Sequence, residues 1–346
     1  MSSEGRRVRL QDVADHAGVS LATASRMLAG SDYKGRAALR DKVLASAAEL
    51  GYRPNLHARA LASSTSTSVG LVVHDVRDAY FAMIAGGVIR AAEAHRLLVT
   101  MVSTYRDPRQ ELNYVSLLSA QRPRAIILAG SSFTDRAHAA AMAEQLSAYQ
   151  AGGGAVVSVT RGRKIGHLIE VDNVEGARRL AHRLADLGHT SFGVISGPAR
   201  LIAVRDRMHG FRLGLQDRGI ELAADAVVHT EISRDGGARA ARRLLGRDER
   251  PTCLWGVADV VAVGAMAWAR SAGLRIPEDV SVAGFGGTPP ASDAVPALTT
   301  VELPLERIGA TALDLALLPP DEPRHTVEIG GTVLMRDSTA PLARTS

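Results

Sequence analysis

Only one of the 346 residues is a cysteine, Cys253, so no internal disulfide can form and a disulfide-stapled secreted fold is excluded. The opening stretch MSSEGRRVRL has no apolar core of the kind a secretory signal needs, and no run of 18 apolar residues occurs. Ala125 to Ala129, among the longest apolar segments, is bounded by turn residues. A cytoplasmic protein with no membrane partner is expected. Catalytic signatures are also missing: there is no G-x-S-x-G elbow, no HExxH, no phosphate-binding G-x-x-x-x-G-K-S/T and no cysteine pair for zinc. His16, His95, His167, His182, His189 and His209 are scattered along the chain, and Gly152-Gly-Gly154 has no following lysine and reads as a loop. The expectation is a protein that is not an enzyme and carries neither metal nor cofactor.

What is present is a long, globular composition, with 46% hydrophobic and 22% charged residues, enough for two or three domains with a sizeable core. The charge is unevenly placed. Residues 1 to 64 hold ten Lys and Arg against six Asp and Glu, so nearly all of the net +5 sits there, a distribution that suits a nucleic-acid partner. In that segment Leu10, Val13, Ala14 and Ala17 fall at i, i+3, i+4 and i+7, the buried face of a short helix. Gly18 follows as a turn residue, and Ser20 stands where its hydroxyl would cap a second helix. On that helix Ala24, Met27 and Leu28 would face inward, leaving Leu21, Ala22, Ser25, Arg26 and Ala29 as an outward stripe able to enter a major groove. Leu39, Val43, Ala47 and Leu50, closed by Gly51, predict a third helix. Asn55 is placed to cap a further helix of seven or eight residues, too short to persist alone in water, and the polar run from Ser63 to Ser68 reads as a connector.

From Val69 onward short apolar strands alternate with helical stretches: Val69–Val73, a helix after Tyr80, Leu97–Val102, a helix after Arg109, Ala125–Ala129 and Ala155–Val159. A second series runs through Phe192–Ile195, a helix near Arg205–Arg218, Val227–His229, a helix from Gly236, Thr252–Trp255, a helix from Val260, and Val280–Ala283. The pattern predicts two similar lobes, each a mainly parallel sheet with crossover helices.

The segments VRLQDVADHAGVSLATASRMLAG, ELGYRPNLHARAL, PALTTVELP and LMRDSTAP resemble the LacI/GalR family of bacterial regulators nearly end to end. That resemblance implies an N-terminal all-α helix-turn-helix headpiece plus an α/β two-lobed periplasmic-binding-protein-like core with parallel sheets. It also implies a transcriptional regulator, a repressor by family default, that binds a palindromic double-stranded DNA operator as a homodimer and answers to a small-molecule effector held between the lobes. The expected domains are residues 1–54, a hinge and linker at 55–68, and a core at 69–346. Lobe one is expected at about 69–161 plus 292–325, and lobe two at about 162–291 plus 326–346. By resemblance Leu21, Ala22 and Arg26 read base edges, while Ser20, Thr23 and Ser25 touch phosphates. Arg26 can donate two hydrogen bonds to a guanine edge, whereas Leu21 and Ala22 offer only apolar contact, for instance to thymine methyls. In the hinge, Leu61 corresponds to the leucine that wedges a central base step, Ala58 lets two hinges approach, and Arg59 is a phosphate contact.

For the effector, resemblance points to Asp78, Tyr80, Phe81, Thr160, Arg207, Asp259 and Gly286. The sequence departs from the family at several of these. Gly284-Phe-Gly286-Gly287 stands where GFDD is usual, Ala258-Asp259 where Asn-Asp is typical, and Thr160 where sugar-binding relatives often place Asp. A simple sugar is thereby a weaker expectation than a less hydroxylated metabolite, an acidic one gripped by Arg161, Arg205 and Arg207, or loss of sensing; these remain open. Arg36 replaces the usual Ser or Thr cap of the third helix, and Ala29 a common Asn. Met266–Leu274 and Val280–Phe285 are apolar enough to be either dimer interface or core, and nothing after Arg344 forms the heptads of a tetramer. The rival reading is a periplasmic-type solute-binding protein without a DNA role, which would share the lobes but has no use for a basic headpiece.

Overall fold

The computed structural model describes residues 8–29, 37–52 and 66–342, and the chain separates into two compact units at Ser66 and Thr67. In the first unit, α1 (Leu10–Ala17), α2 (Leu21–Ala29) and α3 (Ala37–Glu49) enclose a small core. The first helix starts where the Arg9 N–H donates to Asp12 Oδ2 at 2.7 Å, tying down one of the amides a helix start leaves unpaired. It stops at Gly18, whose φ of 63° lies in the left-handed region that a side chain tolerates poorly. That reversal lets the Val19 N–H reach back to the Ala14 carbonyl at 2.9 Å, and Ser20 Oγ then accepts from the Thr23 N–H at 3.2 Å to open α2. Val13, Ala14, Ala17, Ala24, Met27, Val43 and Ala47 are buried together, with Leu10, Leu28, Leu39 and Leu50 packed around them.

The second unit holds two parallel sheets. The first is six-stranded: β1 (Ser68–Val73), β2 (Leu98–Ser103), β3 (Ala125–Leu128), β4 (Ala155–Ser158), β5 (His167–Val171) and β11 (Thr326–Ile329), in the order β11-β5-β4-β3-β1-β2. Its helices are α4 (Ala79–Ala94), α5 (Pro108–Ala120), α6 (Arg136–Ala151) and α12 (Leu305–Ala316), the last packed on α4. The second is four-stranded: β6 (Phe192–Ser196), β7 (Val227–His229), β8 (Cys253–Gly256) and β9 (Ser281–Ala283), in the order β7-β6-β8-β9. Around it lie α7 (Asn173–Asp186) against α8 (Ile202–Gln216), and α9 (Arg234–Leu245) against α10 (Asp259–Ser271), with the short α11 (Pro289–Asp293) beside α10. An antiparallel pair, β10 (Thr300–Glu302) with β12 (Thr332–Leu334), completes the unit.

Sheet pairing corrects the expected lobe boundaries. His167–Val171 pairs with β4 and β11, so the first lobe runs past residue 161, and 326–329 belongs to it rather than to the second. Conversely Ala291 and Leu298 are buried in the core cluster of the second sheet, which takes the start of the 292–325 segment with it. The cause is Gly166: at φ 74° it turns the chain so tightly that a Cβ there would sit 2.1 Å from the Val156 carbonyl oxygen, and β5 returns directly beside β4. The apolar segments Met266–Leu274 and Val280–Phe285 are largely core. Met266, Ala269, Val280, Val282, Ala283 and Phe285 are all buried within the chain, which leaves their side chains nothing to offer a partner.

Ile169 in β5 is fully buried, whereas Leu117 in α5 is 53% exposed. Ile169→Ala is expected to destabilise the core by about 2–5 kcal/mol through lost packing and a residual cavity. Leu117→Ala should stay within about 0.5 kcal/mol. Denaturant unfolding followed by circular dichroism distinguishes them, and equal midpoints would contradict the placement of β5.

Candidate DNA-reading face and interlobe cleft

On α2 the side chains divide by helical phase. Ala24 and Met27 point into the three-helix core, while Leu21, Ala22, Ser25 and Arg26 are exposed and Thr23 is half-buried. Ser20 Oγ and Thr23 Oγ1 lie 2.8 Å apart at the start of this helix, and Arg26 Nε donates to the Ala22 carbonyl at 3.2 Å. The exposed stripe therefore combines a forked cation, two apolar contacts and hydroxyls within two turns of one helix, a surface with both base-reading and phosphate-contacting groups. Ala58, Arg59 and Leu61 lie outside the described residues.

In the second unit the carboxyl ends of both sets of strands face one cleft, the position where open α/β sheets bind ligands. Its water-accessible room is about 70 Å³, and it is lined by Asp78, Tyr80, Phe81, Thr160, Arg207 and Asp259. Six of the seven expected residues are thus brought together. Asp78 caps α4, accepting from the Tyr80 N–H at 3.1 Å and from Arg106 Nη2 at 3.2 Å. Burial pushes the Asp78 carboxyl above its ordinary value and Arg106 opposes the shift. Phe81 is buried edge-on to His74 and Tyr80, with ring centroids 5.7 and 5.1 Å away.

Arg207 is the centre of the second-lobe wall. Nε donates to Asn173 Oδ1 at 2.8 Å and Nη1 to the Val257 carbonyl at 2.9 Å. The guanidinium lies 4.1 Å from the ring centroid of Phe285 and 5.8 Å from that of Tyr80. Burial lowers its pKa, opposed by Tyr80 and Asp259. Asp259 is buried, with its carboxylate already engaged: Oδ1 accepts from Thr300 Oγ1 at 2.6 Å, and Oδ2 from the Thr288 N–H at 2.8 Å and Thr288 Oγ1 at 3.0 Å. Burial raises its pKa against those donors. It borders the cleft as a clamp joining α10, β10 and the segment after β9.

Gly286 is a correction, since it does not line the cleft. Its N–H donates to the Val301 carbonyl at 2.8 Å, its φ is 141°, and a Cβ there would come 3.1 Å from Asp259 Oδ2. The position serves backbone geometry beside a buried carboxylate. Arg161 and Arg205 also lie outside the lining; both are exposed, and Arg161 is paired with Asp206. Their expected part in gripping an acid has no geometric support. Sequence reasoning missed His74, Arg106, Ser131, Asn173 and Phe285, which do line the cleft. His74, driven down to about pKa 4 by burial, is neutral at pH 7; its two nitrogens face Thr104 Oγ1 at 3.2 Å and the Ser131 carbonyl at 3.1 Å. His74, Asn173 and Phe285 fall one or two residues beyond a strand end, and that position was the available signal.

Comparison with known proteins fits both halves of this arrangement. Residues 9–55 match the family of bacterial regulatory proteins of the lacI type, and residues 181–339 match the periplasmic binding protein-like domain. The chain is 32% identical over 312 residues to the HTH-type transcriptional regulator GalS of Salmonella typhimurium, covering 90% of this chain and 89% of that protein. It is 30% identical over 306 residues to the HTH-type transcriptional regulator DegA of Bacillus subtilis, covering 88% and 89%. Among solved structures it is similar to the lac repressor dimer bound to operator and the anti-inducer ONPF, at 25% identity and a TM-score of 0.82 over 97% of this chain and all of that one. It is also similar to the transcriptional regulator CelR in complex with cellobiose, at 26% identity and a TM-score of 0.69 over 96% of this chain and all of that one. With a helix-turn-helix unit that presents a polar, cationic reading stripe and a two-sheet unit that closes around a buried arginine, the chain belongs to the LacI family of DNA-binding transcriptional regulators.

Proposed function

We propose that this protein is a cytoplasmic, non-enzymatic repressor that binds a palindromic operator as a homodimer and changes its grip on DNA when a small metabolite enters the interlobe cleft. The observation that carries this reading is the exposure of Leu21, Ala22, Ser25 and Arg26 on one helix whose opposite face is sealed into a core. Such a stripe has no packing role within its own unit. Its chemistry matches major-groove readout, with Arg26 suited to guanine and Leu21 and Ala22 to thymine methyls. Residues 1–54 would form the headpiece, 55–68 the hinge with Ala58, Arg59 and Leu61 at the minor groove, and 69–346 the sensing core.

One headpiece makes too few base contacts for specificity, so a dimer is needed to read two half-sites. The edge of the first sheet supports where it would form. β2 is the terminal strand, Leu98 on it is 63% exposed and Met101 39%, and Ile89 on the adjoining α4 is 43% exposed. An unpaired edge carrying apolar side chains favours pairing with a second copy.

The cleft supports a ligand with a ring and few hydroxyls. Its walls are the rings of Tyr80, Phe81 and Phe285 with Val204, Leu201 and Val257, while Asp78 and Asp259 are engaged within the protein. Thr160 and Arg207 would take the ligand's polar atoms.

The test is selection of bound duplexes from a random pool by the purified protein at moderate salt, followed by binding to the selected sequence with and without a metabolite panel. A near-palindrome with a flexible central step is the expected result; binding that stays nonspecific and salt-dependent would favour the solute-binding alternative. On the selected duplex, Arg26→Ala should weaken specific binding by about 1–3 kcal/mol and leave nonspecific binding largely intact, whereas a uniform loss on all DNA would remove its base-reading role. Leu98→Asp with Met101→Asp should shift the protein from dimer to monomer in analytical ultracentrifugation, and an unchanged dimer would place the interface elsewhere. Arg207→Met should abolish the metabolite response while the free protein still binds operator.

A further inference from the structure

A second cavity lies apart from the interlobe cleft. A space of about 260 Å³ lies within the first lobe, between α6 and the segment joining β4 to β5. Its apolar body is made by Phe133, Met142, Ala143, Leu146 and Ile165. At its other end three buried polar residues converge. Glu111 is 1% exposed and holds two of its neighbours: Arg163 Nη2 donates to Oε1 at 2.6 Å, and His138 Nε2 faces Oε2 at 2.8 Å. Ser132 stands beside them, its Cβ 3.4 Å from where a Cβ on Gly162 would lie. Ser132, His138 and Arg163 all line the cavity. Among the described residues, Ser132 Oγ, His138 Nδ1 and Arg163 Nε are buried without a hydrogen-bond partner. Buried polar atoms are rarely left so, and all three belong to residues that line this one cavity.

Their chemistry restricts what fits. With Nε2–H pointed at the carboxylate, the His138 tautomer that makes this contact has its lone pair at Nδ1; Arg163 Nε–H can only donate, and Ser132 can do either. Burial pushes the Glu111 carboxyl up, but Arg163, His138 and His74 together outweigh it and hold it below its ordinary value, so it is ionised at neutral pH. The Glu111 and Arg163 charges then cancel. With that pair closed on itself, a buried ion of either sign would bring a charge that the pair leaves without a counter-charge. We propose that this cavity is a second ligand site for a small uncharged molecule with an apolar body and a head that both donates and accepts a hydrogen bond, a carboxamide or a hydroxyl.

The site backs onto the interlobe cleft. Ser131 and Thr160 line the cleft, and the adjoining Ser132, Gly162 and Arg163 line the second cavity. The same stretch reaches the other lobe, where the Ile202 N–H donates to the Ser132 carbonyl at 3.0 Å and the Thr134 N–H to the Arg200 carbonyl at 2.9 Å. An occupant of the second cavity therefore pushes on segments whose position helps to set the cleft.

The probe is benzamide, with benzoate as its isosteric, acceptor-only anion, titrated into the intact protein by calorimetry. Benzamide should bind saturably and benzoate at least tenfold more weakly. Ala143→Phe, which fills the apolar end, should weaken benzamide at least tenfold while retaining a cooperative melt; Arg207→Met in the cleft should leave it unchanged. Ser132→Ala, a minimal change, should weaken benzamide about three- to tenfold and decides the matter if Ala143→Phe does not fold. Absence of saturable binding, equal affinity for benzoate, or loss in Arg207→Met with retention in Ala143→Phe would each overturn the proposal.

Discussion

A guanidinium buried between two lobes must be solvated by the protein itself, and Arg207 makes that demand on everything around the cleft. It is 8% exposed, so bulk water contributes little. The Asn173 side chain, the Val257 carbonyl and the faces of Phe285 and Tyr80 take the place of that water. Three of these belong to elements of the second sheet's lobe, and Tyr80 to the first turn of α4 in the first lobe. Part of the charge's stabilisation therefore depends on how far the lobes are closed. A ligand oxygen delivered to Arg207 would add to that stabilisation only in the closed arrangement, which gives the cleft a physical reason to respond to occupancy.

The second constraint is the buried Asp259. Its three donors come from Thr288, after β9, and from Thr300 on β10, so one carboxylate fixes the start of α10 against both. This explains why the acidic residue expected from the sequence to hold a ligand instead holds the wall. The resemblance located it beside the cleft, but nothing in the sequence reveals that Thr288 and Thr300, 29 and 41 residues away, saturate it.

The headpiece was legible almost residue by residue because its signals are local: period 3.6 in Leu10–Ala17, a left-handed Gly18 and a capping Ser20. Strands that are short apolar runs, such as β1, β3 and β6, were legible for the same reason. α6 was missed because its sixteen residues include seven alanines, which give little contrast between faces, and β5 and β11 because each is short and mixes polar with apolar positions. Their pairing is long-range, joining residues 168 and 326, and it moved the lobe boundaries. Within the site, Asp78, Tyr80, Phe81, Thr160 and Arg207 could be placed by resemblance. Arg161 and Arg205 could not be told from lining residues, since one turn of α8 carries Arg205 outward and Arg207 inward.

These placements bear on ligand chemistry. In the first lobe Asp78 is engaged with Arg106, and in the second Asp259 is engaged with threonines while it attracts Arg207, so acid and base balance across the cleft. A strongly acidic ligand would disturb that balance, and the arginines expected to receive it face solvent. A polyhydroxylated ligand would need several side chains that both donate and accept; Ser131 and Thr160 line the cleft, Thr288 is engaged with Asp259, and Ala258 supplies none. At Gly286 the φ of 141° and the closeness of Asp259 leave no easy place for a side chain. Of the rings that border the cleft, Phe81 and Phe285 are buried and Arg207 lies over the Phe285 ring, while Tyr80 is half-buried. Under the proposed function such a site would select by shape first, with Thr160 and Arg207 available to hydrogen-bond and orient a ligand, and would favour a flat, sparsely hydroxylated metabolite over a sugar.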